Sequence, residues 1–246
     1  MAYNLIVFDL DGTLSLSKCP MDEEMSTLLK KLLEKKFVAV ISGGTYNQYK
    51  KQFIATLNCD DKNLLKKLFL FPTCSTAFYK FENEWKQIYN HDMKLEERQK
   101  IIIALQKMCD EINYHPEVTY GDLIEDRISQ VTFSALGQQA PVELKSKWDP
   151  DCSKRIVMKK ILEKYITEFD INFGGGTSLD ITQKGIDKAY GMQQIIINLG
   201  FKKEEILFIG DKLQEGGNDF PVIQTGVKCI EVSSPEDTKK EILKLI

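Results

Sequence analysis

Apolar and polar positions along the chain fall into two alternating periods, one of strands and one of helices. Leu5-Ile6-Val7-Phe8 is a brief, wholly apolar run that ends in turn residues, the pattern of a strand buried on both faces. From Met21 to Lys36 the apolar positions Met25, Leu28, Leu29, Leu32 and Leu33 keep to one helical face. Asp22 and two glutamates open that segment and lysines close it, as the helix dipole favours. Phe37 to Ile41 predicts a second buried strand, and a helix is expected from about Tyr46 to Leu57. A short helix then leads to Leu68-Phe69-Leu70-Phe71, a third strand that Pro72 stops. Strand, helix, strand, helix, strand implies a parallel sheet with right-handed crossovers.

After Pro72 the pattern changes. Phe78 to Tyr89 alternates aromatic and polar residues like a half-exposed antiparallel hairpin. A long amphipathic helix follows from Leu95 to Asn113, and Ile124 to Leu136 alternates again around Ile128, Val131 and Phe133. Asp149 to Thr167 is helical in pattern, and Ile171 to Thr182 is strand-like around Gly174-Gly175-Gly176. Parallel-sheet signals then resume. Lys184 to Leu199 reads as a helix, Ile206 to Ile209 as a buried strand tipped by Gly210-Asp211, Lys228 to Val232 as a strand and Glu236 to Ile246 as a helix. The expected fold is α/β: a doubly wound, mostly parallel, Rossmann-like core from residues 1–80 and 186–246. An inserted α+β cap occupies residues 81–185.

Composition narrows the function classes. With 246 residues, 43% hydrophobic and 28% charged, the chain can bury a sizeable core. Its net charge of -3 gives no general attraction to nucleic acid or anionic membrane. No apolar run approaches the roughly 20 residues of a membrane span, and no basic segment precedes an apolar stretch at the start. The six cysteines are scattered without a Cys-x-x-Cys pair, which suits a reducing cytoplasm and gives no zinc pattern. His91 and His115 sit in no recognisable motif, so histidine-based catalysis is not the starting expectation.

Candidate chemistry gathers at the strand tips. Asp9 and Asp11 follow the first strand, Ser42-Gly43-Gly44 the second, and Gly210-Asp211 a later one, with Gly216-Gly217-Asn218-Asp219 just beyond. Lys188 lies in the first turns of the helix that re-enters the core. Each alone has a plain reading: Asp and Gly are turn residues, Ser-Gly-Gly is a loop, and a lysine is usually solvated. In an open α/β sheet, however, ligands bind outside the carboxyl ends of the strands. Paired carboxylates there are costly unless a cation or reacting group joins them.

Taken together and in this order, these motifs resemble the haloacid dehalogenase superfamily of aspartyl phosphotransferases. The cap position resembles its C2 type, and the resemblance covers essentially the whole chain. Within that superfamily the best match is to the eukaryotic-type phosphomannomutases and related sugar-phosphate phosphatases. The resemblance implies Asp9 as nucleophile, Asp11 as general acid and base, and Ser42, the glycine-loop amides of Gly43 and Gly44, and Lys188 as holders of the phosphoryl oxygens. It implies Mg²⁺ on Asp9, the backbone carbonyl of Asp11, and Asp211, with Asn218 and Asp219 orienting the metal site. Thr45 is a substitute for Ser42 in the phosphate-binding role.

In the cap, Ile124-Glu125-Asp126-Arg127 resembles the stretch that supplies a phosphate-binding arginine, and Ser178-Leu179-Asp180 a stretch that contacts the sugar and its distal phosphate. Arg127 has a second reading as an ion pair with Glu125 or Asp126, and Ser178 and Asp180 as an exposed strand edge. Gln138 and Lys145 stand where those mutases carry further cap arginines, and Lys18 stands for an arginine near the first motif. Neither lysine nor glutamine reproduces a guanidinium fork. The implied enzyme is cytoplasmic and Mg²⁺-dependent. Its partner is a small sugar phosphate, without nucleic acid or membrane, and its assembly a homodimer through the cap. Phosphomannomutase-like isomerisation and sugar-phosphate hydrolysis both remain open, with a non-catalytic phosphosugar- or protein-binding module as a more distant alternative.

Overall fold

A computed structural model describes residues 3–246. In chain order the elements are β1 (Leu5–Asp9), α1 (Glu23–Lys35), β2 (Phe37–Ile41), α2 (Tyr46–Tyr49), α3 (Ala55–Leu57), α4 (Lys62–Leu65), β3 (Leu68–Phe71), α5 (Pro72–Ser75), β4 (Ala77–Phe81), β5 (Trp85–Asn90) and α6 (Leu95–Glu111). There follow β6 (Ile124–Asp126), β7 (Val131–Ser134), α7 (Val142–Trp148), α8 (Ser153–Tyr165), β8 (Phe169–Phe173), β9 (Ser178–Gln183), α9 (Lys188–Leu199), β10 (Ile206–Gly210), α10 (Phe220–Ile223), β11 (Lys228–Glu231) and α11 (Pro235–Leu245). The chain divides into two compact units, Met1–Asn90 with Asp187–Ile246, and His91–Ile186. Among the described residues no helix is long and apolar enough to cross a membrane.

The first unit holds a seven-stranded sheet in the order β11-β10-β1-β2-β3-β4-β5, parallel from β11 through β3. Successive residues of a strand point to opposite faces, and here both faces are apolar. Ile6, Phe8, Val38, Val40, Leu207 and Ile209 pack with α1 and with Phe53 and Leu57, whereas Leu5, Val7, Ala39, Ile41 and Phe208 pack with Met192 and Ile195 of α9. Burying each such side chain contributes about 1.5–3 kcal/mol. That two-sided burial is why these strands read as continuous apolar runs.

Two departures from the sequence expectation stand out. The hairpin β4–β5 was expected to begin the cap; it pairs antiparallel with β3 and extends the core sheet, so the compact units divide at Asn90/His91 and not near residue 80. Its alternation is that of an edge hairpin packing one face on a core, which any sheet can use. The helix expected over residues 46–57 is interrupted by a π-helical turn at Lys50–Ile54, which carries an extra residue and turns Gln52 into the interior.

The second unit is a two-layer α+β fold with sheet order β6-β7-β9-β8, all antiparallel. Val131, Phe133, Ile171, Leu179 and Ile181 pack against Ile101, Leu105 and Met108 of α6 and Met158 and Leu162 of α8. The alternate positions Thr132, Ser134, Ser178, Asp180 and Thr182 form a polar face. Arg155 and Asp149 form a buried ion pair (2.7 Å). Asp149 also accepts the Lys154 and Arg155 amides at the start of α8, and Arg155 donates to the Gly175 carbonyl. These contacts tie that helix to the glycine turn between β8 and β9.

Candidate active site

β1 and β10 are neighbours, and from them the chain leaves toward opposite edges of the sheet. Such a reversal opens a crevice at the carboxyl ends of the strands. Asp9 is the last residue of β1, and Asp211 directly follows β10. Gly12 makes their approach feasible: its φ is +91°, and a Cβ there would lie 2.4 Å from Asp211 Oδ2. The Asp-x-Asp-Gly stretch thus ends in glycine for a local steric reason.

Lys188, at the start of α9, reaches into the same place. Its Nζ donates to Asp9 Oδ1 at 2.5 Å and to Asp219 Oδ1. Asp9, Lys188 and Asp219 are only 2%, 3% and 0% exposed. Asp219 Oδ2 accepts the Lys212 amide, so this carboxylate braces both the lysine and the loop after β10. Thr13 donates to Asp9 Oδ2 at the long distance of 3.5 Å. Burial pushes the Asp9 carboxyl up to about 8; Lys188 opposes that rise, while Asp219 and Asp211 add to it. Burial also raises Asp211, with Asp219 adding to the rise and Lys212 and Lys188 opposing it. Burial alone would lower the Lys188 ammonium, but Asp219 and Asp9 outweigh it and hold it well above the ordinary lysine value.

Lys188 is shared by Asp9 and Asp219, while Lys212 Nζ approaches Asp211 Oδ2 only at 3.9 Å, so three carboxylates meet two ammoniums and the cluster is short of positive charge. Asp9, Asp211 and Asp219 each offer an oxygen within 4.8 Å of the others. Asp211 Oδ1 and Asn218 Oδ1 are buried without a hydrogen-bond partner. A donor set made only of oxygens, with orphaned acceptors and excess negative charge, fits a hard divalent cation such as Mg²⁺.

Asp11 is positioned separately. Its Oδ1 accepts the Lys18 backbone amide at 2.6 Å and the Gln52 Nε2 at 2.8 Å, and Gln52 also donates to Ser15 Oγ. Lys18 thus meets Asp11 through its backbone, in a left-handed conformation with φ +58°. Gln52 escaped the sequence reading because only the π-turn brings it inward, and apolar periodicity carries no sign of that.

Ser42 lies just beyond β2, where its Oγ accepts the Gly44 amide (3.1 Å). Thr45 caps α2 by accepting the Gln48 amide, so its hydroxyl is committed to the helix start. A turn of three successive left-handed non-glycine residues, Thr73, Cys74 and Ser75, braces this loop: Thr73 N–H donates to Gly44 and Cys74 N–H to Ser42. Backbone of that kind is held only where its surroundings over-determine it. The buried Tyr49 hydroxyl donates toward the carbonyls of Val40 and Phe71. Burial, with Asp9 and Asp11 nearby, raises it well above the ordinary tyrosine value.

The predicted residues of the second unit fall into another constellation. Thr132 Oγ1 donates to Asp180 Oδ1, and Ser178 Oγ pairs with Ser134 Oγ. Gln138 Nε2 donates to Ser134, and Lys145 Nζ to the Gln138 carbonyl. Ser178, Asp180, Gln138 and Lys145 are thereby brought together. Arg127 instead forms a fork with Glu125, through Nε at 2.9 Å and Nη2 at 2.7 Å, which realises its ion-pair reading. Gln130, Thr132 and Ser134 went unnoticed in the sequence because polar alternation marks a strand face without indicating partners.

This architecture is similar to that of a solved haloacid dehalogenase-like hydrolase. That hydrolase, from Bacteroides thetaiotaomicron, superposes with a TM-score of 0.64 at 16% identity, over 99% of this chain and 100% of the other. The Plasmodium falciparum IMP-nucleotidase superposes with a TM-score of 0.72 at 21% identity, covering 100% of this chain and 62% of that one. The fold is thus that of haloacid dehalogenase-like hydrolases.

Residues 25–246 match the model of the eukaryotic phosphomannomutase family, and the chain belongs to that family. Among curated relatives, the phosphomannomutase of Saccharomyces cerevisiae is 26% identical over 249 residues, spanning 98% of this chain and 93% of its own length. That of Encephalitozoon cuniculi is 28% identical over 262 residues, spanning 97% and 91%.

Proposed function

We propose that the protein is a cytoplasmic, Mg²⁺-dependent phosphotransferase that interconverts mannose 1-phosphate and mannose 6-phosphate through a phosphorylated Asp9. The observation that carries this reading is the Lys188 ammonium joining Asp9 to Asp219 beside the orphaned oxygen of Asp211. Membership of the phosphomannomutase family supports the choice of substrate.

An Asp9 carboxylate oxygen attacks phosphorus and the bond from phosphorus to the sugar oxygen breaks. Asp11 delivers a proton to that departing oxygen. The second half reverses the flow: a free hydroxyl of a hexose monophosphate gives its proton to Asp11, and its oxygen takes the phosphoryl group from Asp9 as the Asp9–phosphorus bond breaks. Lys188 supplies a fixed positive charge beside the nucleophile, and Ser42 with the Gly43 and Gly44 amides cradles the transferred oxygens. Mg²⁺ on Asp9, the Asp11 carbonyl and Asp211 would offset the charge between nucleophile and phosphate. Asn218 and Asp219 orient that group of ligands. In the second unit, Arg127, Ser178 and Asp180 read the sugar and its second phosphate. The unit of residues 1–90 and 187–246, which includes the hairpin β4–β5, forms the catalytic part and residues 91–186 the specificity part in this reading. A homodimer through the second unit accompanies it on the family resemblance.

Mannose 1-phosphate with Mg²⁺ and a trace of hexose 1,6-bisphosphate provides the test. Mannose 6-phosphate should accumulate without matching free phosphate. Steady phosphate release without the isomer would replace the mutase with a phosphatase, and absence of both would remove the enzymatic reading.

A further inference from the structure

We propose that β7 sets the hydrogen-bond polarity of Ser178 and Asp180 through two parallel relays, each beginning at a glutamine amide. Gln138 is then a positioning residue for sugar recognition and not a phosphate ligand. The inference rests on the phosphosugar reading above, in which Ser178 and Asp180 contact the sugar.

β7 and β9 are antiparallel, with Thr132 opposite Asp180 and Ser134 opposite Ser178. Positions two apart share a face, so both pairs lie on the polar side of the sheet. In the first relay Gln130 Nε2 donates to Thr132 Oγ1 at 2.8 Å, and Thr132 Oγ1 donates to Asp180 Oδ1 at 2.7 Å. An ionised carboxylate only accepts, so the Thr132 proton must point to Asp180 while its oxygen receives the amide. In the second, Gln138 Nε2 donates to Ser134 Oγ at 2.7 Å, and Ser134 Oγ lies 2.8 Å from Ser178 Oγ. A hydroxyl oxygen accepts twice and donates once; the proposed polarity is the one in which the Ser134 proton goes to the Ser178 oxygen, leaving the Ser178 proton for a ligand.

The result is a hydroxyl donor and a carboxylate acceptor two residues apart, roughly 7 Å along the strand. That separation is about the breadth of one hexose ring, and the pairing suits an oxygen acceptor at one edge and a hydroxyl at the other. Gly174 keeps room beside the second carboxylate oxygen, because a Cβ there would lie 2.9 Å from Asp180 Oδ2. Lys145 contributes by fixing the carbonyl of Gln138, the origin of the second relay, at 3.0 Å.

The test is steady-state kinetics of Gln138→Leu, Ser134→Ala, Thr132→Val and two double variants, on mannose 1-phosphate and on p-nitrophenyl phosphate. Gln138 is only half-buried, so its variant should fold; thermal melting checks the others. Q138L and S134A should each raise KM for the sugar phosphate about five- to tenfold, the scale of one lost hydrogen bond, with p-nitrophenyl phosphate kinetics within about twofold of wild type. The Q138L/S134A double variant should be no worse than the weaker single one, because both sit in one relay. Q138L/T132V should multiply, because they do not. Unchanged KM in both single variants, equal loss on both substrates, or multiplication within one relay would overturn the inference. Wild-type protein that hydrolyses p-nitrophenyl phosphate but no hexose phosphate would instead overturn the reading beneath it.

Discussion

The two units hold their polar residues in opposite ways. At the tips of β1 and β10, Asp9, Asp219 and Lys188 are buried together beside the half-buried Asp211, which Lys212 approaches. On the polar face of β7 and β9, Asp180 accepts from Thr132 in a set of linked hydroxyls and glutamine amides, with Lys145 on the Gln138 main-chain carbonyl. Charge in burial is expensive and is kept where charge must move, as in phosphoryl transfer. Neutral relays store no charge but fix direction, which is what discriminating between sugars requires. The second unit does contain a buried ion pair, Asp149 with Arg155, which ties the start of α8 to the glycine turn and also meets Cys152 Sγ and the Phe173 ring.

The contrast can be broken most severely at Asp9. Asp9→Asn should lower kcat on every phosphate ester by about three orders of magnitude or more while leaving the far-ultraviolet spectrum unchanged. Substantial surviving turnover would remove Asp9 as nucleophile.

Lys188→Met comes next, since it leaves two buried carboxylates without their cation. Denaturant unfolding of the metal-free variant should show a loss on the order of 3–5 kcal/mol, and Mg²⁺ should recover more of it than in the wild type. A variant as stable as wild type would mean that the cluster is not held by this charge.

Acidity distinguishes the regions at a smaller scale. In the metal-free protein Asp9 is raised to about 8 by burial, against 3.8 as its ordinary value. Between those values the native state keeps a proton that the unfolded chain has released. Stability of the metal-free protein should therefore fall as pH rises from about 4 to 8. Saturating Mg²⁺ should flatten that slope. Stability that rises with pH over this range in the metal-free protein would contradict the assignment.

The smallest effect belongs to the second unit. Arg127→Ala should raise KM for sugar phosphates about tenfold and leave KM for p-nitrophenyl phosphate within about twofold. Equal changes on both would exclude Arg127 from recognition and leave it as the partner of Glu125.

The first region was far more legible in the sequence than the second. Strands buried on both faces give unbroken apolar runs, so β1, β2, β3 and β10 announced themselves, and with them the tips carrying Asp9, Ser42 and Asp211. Lys188 was identified by its place at the start of α9. Gln52 was not, because a π-turn shifts the helical phase locally and apolar spacing averages over it. Gln130, Thr132 and Ser134 were visible only as alternating polar residues, since cross-strand register decides their partners and a single strand's pattern does not contain it. The hairpin β4–β5 was recognised as a hairpin but given to the wrong sheet for the same reason.

The most direct measurement is capture of the phosphoryl group in transit. Wild-type protein mixed with Mg²⁺ and hexose 1,6-bisphosphate, quenched in acid and digested, should yield a peptide phosphorylated on Asp9, and the label should vanish when the sample is chased with mannose 1-phosphate before the quench. Turnover proceeding with phosphate on another residue, or with none on the protein, would contradict the account.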